Sequence, residues 1–346
     1  MKKNLFCLLR PGVFLLCAVF LALTQIRIAL LVFGGHINAH IAAAQGVVQG
    51  LPHWRIYQSR VLGPFLTESI KKIFNVPFEH AYMATIFILL VIFFLALIFV
   101  VKHIWDSPIM IFAVVTAGWA LNAILMQGIW LYLWDLVDLI IFTALIWAII
   151  TSRPLWVIAS ILMIEIFNRE AAILAGLWLL SDAVFRLRES NGILSKLEFK
   201  IRYKQFFTAL FLLIVGYTII EFLRNTLLIR EIGPEIFYNM KNGIEFFSVQ
   251  LVNNLRVFKF SLLHPLYNLN MVFNVIILAI PIVAWRALKN HDTALNRVGF
   301  LYLILWIFTI VFGLIYETRV WLSFVPFLIL VIPLLTKDFQ CYLRKK

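Results

Sequence analysis

The chain has 346 residues, 63% of them hydrophobic and 14% charged, with a mean hydropathy of +0.96. This excludes a soluble globular domain, because a chain so apolar must place most of its length in lipid. The formal net charge of +13 would suggest nucleic acid in a soluble protein; here Lys and Arg gathered in cytoplasmic loops account for it, and no nucleic-acid partner is expected.

The first apolar run, Pro11 to Phe33, is too long for a signal-peptide core and lacks a small-residue cleavage site, so it reads as an uncleaved first span interrupted by Arg27. Residues 34–80 form a first external loop with one or two amphipathic helices at the interface, since its apolar runs are too short to cross. Spans follow at about Ala81–Val101, Pro108–Met126 and Ile129–Ile150. Two short apolar arms, Pro154–Ile166 and Ala171–Phe185, flank Phe167-Asn168-Arg169-Glu170. The most basic loop, Arg186 to Lys204, precedes a span at Gln205–Leu223, and residues 224–267 form a second long external loop. The last spans are expected at Leu269–Leu288, Gly299–Ile315 and Trp321–Leu335. No internal repeat or linker divides residues 1–346, which read as a single transmembrane domain.

The pair of short arms decides the topology. As one helix, Pro154–Phe185 would be about 48 Å long, against about 30 Å of hydrocarbon. Folded at Asn168, the arms give an all-α bundle of about ten spans with both termini cytoplasmic. About 18 basic residues then lie inside and about 11 outside. The expected location is a bacterial-type cytoplasmic membrane.

With that topology the unusual polar residues fall on the external face. Asp135 and Asp138 are three apart on one helical face, with Asp135 about six residues into its span. Asp135 and Glu170 are candidate general bases, because a carboxylate there can take a proton from an acceptor hydroxyl. Arg55, Arg60, Arg169, Arg256 and Arg319 are external cations whose guanidinium forks suit a phosphate. Asp138, Asn168, Tyr316 and Glu317 complete the candidate binding set. The bland alternatives are ion pairs that fix helix packing, a helix cap at Asn168, and snorkelling of Lys71, Lys72 and Lys259. Trp54, Trp130, Trp134 and Trp321 fit an external aromatic belt. His36, His40 and His53 lack a tight ligand spacing, and Cys7, Cys17 and Cys341 sit at the chain ends, so no metal site or cofactor is evident; dependence on a divalent metal stays open.

Three segments carry a family resemblance: Ala42-Ala43-Ala44-Gln45-Gly46 through Tyr57-Gln58-Ser59-Arg60-Val61-Leu62, the Asn168-Arg169-Glu170 turn, and Glu317-Thr318-Arg319-Val320-Trp321 followed by Pro326. The layout resembles multi-pass glycosyltransferases of the C-type superfamily, which use polyprenyl-phosphate-linked sugars. Such enzymes usually carry an acidic catalytic residue in the first external loop, whereas residues 34–66 here contain no Asp or Glu, and Asn38 stands in that region. Either the base has moved to Asp135 or Glu170, or the scaffold is kept without the reaction.

The resemblance implies transfer of a sugar from a lipid-phosphate-linked donor on the external face, in envelope glycan or glycolipid synthesis, with membrane lipids as the other partners. The rival readings are a transporter or flippase of lipid-linked saccharides and an envelope polysaccharide polymerase. Paired broken helices in two halves would favour transport, and no such symmetry is visible in the sequence.

Overall fold

The computed structural model describes residues 11–50, 59–105, 107–125, 132–188, 196–199, 201–224, 249–264, 266–267, 274, 277–290, 292–313, 315 and 317–344. Among these the chain forms thirteen α-helices: α1 (Pro11–Phe33), α2 (Ile37–Gln49), α3 (Leu62–Phe74), α4 (Phe78–Trp105), α5 (Pro108–Leu125), α6 (Leu133–Ile150), α7 (Leu155–Ile166), α8 (Ala171–Val184), α9 (Tyr203–Phe222), α10 (Leu251–Leu263), α11 (Ala279–Leu288), α12 (Thr293–Phe312) and α13 (Val325–Arg344). Seven helical segments are long and apolar enough to cross a membrane, the last of them running from Thr318 to Thr336; three shorter apolar helices, α7, most of α8 and α11, lie among them. The protein is a polytopic helical membrane protein.

Among the described residues the one departure from helix and turn is a two-stranded antiparallel ribbon, β1 (Phe185–Arg188) and β2 (Lys196–Phe199), with Phe185 opposite Phe199. It occupies the basic stretch expected to be a plain loop. Pairing of the two strands satisfies backbone groups that a loop would leave to water.

Helix α6 is the axis of the bundle, buried along nearly its whole length. It packs against α4, α7, α12 and α13. Below its midpoint Phe142 faces Tyr302 of α12, whose ring stacks on Phe327 of α13 at 4.2 Å. The peripheral helices keep apolar residues outward: Leu16, Phe20 and Leu23 on α1, and Phe207, Phe211 and Ile214 on α9. In water such faces would be a liability; in hydrocarbon they are the solvent-matched surface. Arg27 stands exposed on α1 rather than facing the interior.

The arms at Asn168 fold back. Glu165 and Asn168 lie beside Trp134 and Asp138 at the start of α6, while Arg153 N, just past the other end of α6, donates to Ala148 O. Helices α6 and α7 are therefore antiparallel. Helix α8 returns to the far end of the bundle, where Asp182 pairs with Arg202 before α9 and Arg297 on α12. Helix α9 then runs alongside α8 back to the Asn168 end. Gly216 of α9 permits the close approach: a Cβ there would lie 3.0 Å from Ile166 Cδ1 of α7.

Two expectations shift. Helix α6 begins at Leu133, not Ile129, so Asp135 sits in its first turn rather than well inside a span. The cause is Tyr132, whose extended backbone stops the helix and whose N–H donates to Asp135 Oδ2 at 3.2 Å. The second long loop contains α10, anchored by Asn254, which donates to Ile310 O and Gly313 O at 2.6 and 2.7 Å. The amphipathic helix expected before the second span is α3, which exposes Phe65, Ile73 and Phe74 and packs against α4 and α6.

Candidate functional site

A turn between two short helices leaves carbonyls at one end and N–H groups at the other without intrahelical partners. Here the ends serve each other. Phe167 O, at the end of α7, accepts from Val61 N at 2.9 Å and Leu62 N at 3.1 Å, at the start of α3. Asn168 N and Arg169 N donate to Glu165 O at 2.9 and 2.7 Å. This cross-capping pins the first loop to the α7–α8 turn and brings Ser59 and Arg60 against Glu170. Gly63 makes the seat possible, since a Cβ on it would meet Leu133 Cβ of α6 at 2.6 Å.

Around Glu170 the donors come from two segments, one before α3 and one after α9. Ser59 Oγ donates to Oε1 at 3.3 Å, Arg60 Nη2 to Oε2 at 3.3 Å, and Arg224 Nη2 makes a very short ion pair with Oε1. Arg224 Nε also donates to Ser59 Oγ at 3.3 Å, and Arg224 Nη1 lies 4.0 Å from Glu221. Burial pushes the Glu170 carboxyl up, but Arg60, Arg224, its own backbone N–H and Arg169 outweigh it and hold the group below the usual carboxylate value. Burial pushes the Arg224 guanidinium down to about 10 against the pull of Glu170, so it remains charged at neutral pH.

The second half of the network centres on α6. Arg169 Nη1 donates to Asp135 Oδ1 at 3.1 Å and to Asp138 Oδ2 at 2.5 Å. Burial alone would lower Arg169, yet Asp138 and Asp135 raise it. Asn168 Nδ2 faces Asp138 Oδ1 at 2.6 Å, Trp134 O at 3.1 Å and the Glu165 carboxylate at 3.3 and 3.5 Å. Arg319, from a short 3-10 helix Thr318–Phe324, reaches Asp135 Oδ2 at 3.4 Å and Glu317 at 2.7 Å. Its guanidinium also lies 4.9 Å from the Tyr132 ring. Tyr132 stacks on Trp134 at 4.3 Å, and Arg60 sits 5.3 Å above Trp134, joining the two halves.

Of the residues singled out in the sequence, the structure brings together Arg60, Asp135, Asp138, Asn168, Arg169, Glu170, Glu317 and Arg319. Arg256 is not among them; it is exposed on α10, as is Lys259. Arg55 and Tyr316 lie outside the described residues, as do His53, Trp54 and Trp130. The aromatic belt is corrected: Trp134 and Trp321 are fully buried, Trp134 stacked on Tyr132 and Trp321 against Phe324 at 5.2 Å. His40 is buried 5.0 Å from the Tyr132 ring, whereas His36 is exposed, so the two do not act as a pair. Among the described residues no group of three or more His, Cys, Asp or Glu side chains is arranged to hold a metal ion.

Glu165, Ser59, Arg224, Tyr132 and Glu221 were not foreseen as members. Glu165 shares a helical face with Asn168 at i, i+3, a spacing that could have flagged it. Ser59 lies in the Tyr57–Leu62 segment beside Arg60 but was not singled out as a site residue. Arg224 opens a long polar stretch, and only the path of α9 shows that it returns to Glu170.

Comparison with known protein families, with curated proteins and with solved structures finds no match to this chain.

Proposed function

We propose that this chain is a membrane glycosyltransferase-like protein that moves a sugar from a polyprenyl-phosphate-linked donor to an acceptor hydroxyl, at the external face to which the charge bias assigns the network. The observation that carries the reading is the convergence on one carboxylate of two buried guanidiniums and a hydroxyl, next to a second acid–arginine group. Guanidinium forks bind phosphate oxygens in pairs, and their charge stabilises a phosphate that departs with an electron pair.

In that reaction the acceptor oxygen bonds to the sugar C1 while the C1–O bond to phosphate breaks. The bonding pair leaves on the lipid phosphate, and the hydroxyl proton passes to a protein carboxylate. Two candidates differ in access. Asp135 is 0% exposed and held by Arg169, Arg319 and the Tyr132 N–H, whereas the Glu170 side chain is 15% exposed. We therefore assign Glu170 as the base and Asp135 as the residue that positions Arg169 and Arg319. Arg60 and Arg224 hold the donor phosphate.

The ten-span count, with α7, α8 and α11 as short spans and both termini cytoplasmic, belongs to the same reading. Translocation of a lipid-linked saccharide would be favoured by a cation facing the bundle interior, a place Arg27 could take on the first span. Its exposed position on α1 weakens that support.

The test is transfer of labelled sugar from a polyprenyl-phosphate donor by the full chain in liposomes, compared with Glu170→Ala and Asp135→Ala. Loss of transfer in Glu170→Ala with the fold retained supports the assignment. Unchanged transfer in both variants overturns it.

A further inference from the structure

Glu170 occupies the position that the proposed function gives to the donor phosphate, and the geometry of that occupation is specific. Each carboxylate oxygen is engaged from a different side: Oε1 by Ser59 and Arg224, Oε2 by Arg60. The two guanidiniums are nearly closed off from solvent, with Arg224 and Arg60 side chains 4% and 7% exposed, while the carboxylate they hold is the more open at 15%. The donors come from before α3 and after α9, far apart in sequence, and converge on a carboxylate at the start of α8.

We propose that Glu170 is an internal stand-in for phosphate, sitting in a cradle of Ser59, Arg60 and Arg224 from which the phosphate of the donor displaces it. The inference rests on the proposed function for the identity of the donor; the cradle itself would take any phosphate monoester or diester, lipid-borne or free. Displacement has a chemical consequence. While Glu170 is clamped, the charges of Arg60 and Arg224 oppose protonation, and it is a poor base. Once phosphate takes those guanidiniums, Glu170 keeps its partly buried setting and Arg169 but loses its two strongest cationic partners, so its affinity for a proton rises. The base is thus armed by the arrival of the donor, and an empty site cannot deprotonate an acceptor efficiently.

The experiment measures phosphate affinity of the purified full chain in nanodiscs by calorimetry, with two probes: inorganic phosphate and a long-chain prenyl phosphate. Glu170→Gln removes the competing charge at nearly constant shape, and both probes should bind about tenfold tighter than to the wild type. Arg224→Ala should weaken both probes by about tenfold or more. Tightening for the prenyl phosphate alone would identify a lipid headgroup site; equal tightening for both identifies a phosphate site indifferent to the tail. Affinity in Glu170→Gln equal to or weaker than wild type overturns the inference. Should Glu170→Gln fail to fold, Ser59→Ala serves: it removes one cradle donor and should weaken phosphate several-fold, and unchanged affinity there overturns the inference equally. Sugar transfer by the wild type without tightening in Glu170→Gln sinks the displacement alone. Tightening without any sugar transfer by the wild type sinks the transferase reading and leaves the cradle standing.

Discussion

Arg169 Nη1 lies 2.5 Å from Asp138 Oδ2, binding the α7–α8 turn to the second turn of α6. Asp138 is shut away from water, so its charge is not tolerable without Arg169 beside it. Asp138→Ala is therefore expected to destabilise the protein by about 3–5 kcal/mol. Combining it with Arg169→Met should recover part of that loss, which a double-mutant cycle of thermal or denaturant unfolding in micelles would read.

Asn168 spreads one amide nitrogen over Asp138, Trp134 O and Glu165. Asn168→Ala leaves those acceptors without a donor and should cost about 1–3 kcal/mol. Asn168→Asp should cost more, because it adds a carboxylate to Asp138 and Glu165. Equal unfolding midpoints for the two variants would contradict this.

Glu170 brings a pH dependence. Its folded value is depressed by Arg60 and Arg224 relative to the ordinary glutamate value, so its contribution to stability is fully present above about pH 4.3 and is lost as pH falls through the folded value. Stability measured from pH 6 to pH 3 should decline more steeply for the wild type than for Glu170→Gln. Parallel curves would remove Glu170 from the account of acid sensitivity.

Gly63 couples the first loop to α6. A methyl group at this position would meet Leu133 Cβ at 2.6 Å, so Gly63→Ala should push α3 away and pull Arg60 from Glu170. The expected result is a stability loss of about 1–3 kcal/mol together with a fall in sugar transfer. At the opposite end, Asp182 joins Gln205, Arg202 and Arg297. Asp182→Asn should lower stability while leaving phosphate affinity unchanged, since it lies at the far end from the cradle.

Much of this arrangement was legible in the residues. The length of Pro154–Phe185 against the bilayer required a break, and Asn168-Arg169-Glu170 was the polar place for it; α7 and α8 end and begin there. The i, i+3 spacing of Asp135 and Asp138 put both on one face, where Arg169 now bridges them. Charges cost too much in lipid to stand alone, which is why Asp135 and Arg319 could be expected as neighbours. Other members were hidden for physical reasons. Arg224 is 54 residues from Glu170, and hydropathy carries no record of which helix ends meet. Trp134 and Trp321 had the composition of an interfacial belt, but each packs against an aromatic ring, Tyr132 and Phe324, in the core, a contact that composition does not reveal. Tyr132 stopped α6 early through a single backbone angle that apolar periodicity does not encode.

A structure of the full chain with a prenyl-phosphate sugar bound decides whether phosphate displaces Glu170 from the cradle. Displacement places phosphorus within about 4 Å of the guanidiniums of Arg60 and Arg224, bonds Ser59 to a phosphate oxygen, and turns Glu170 away towards the sugar. A headgroup seated at the Asp182 end, or one bound elsewhere while Glu170 stays clamped between Arg60 and Arg224, would contradict it.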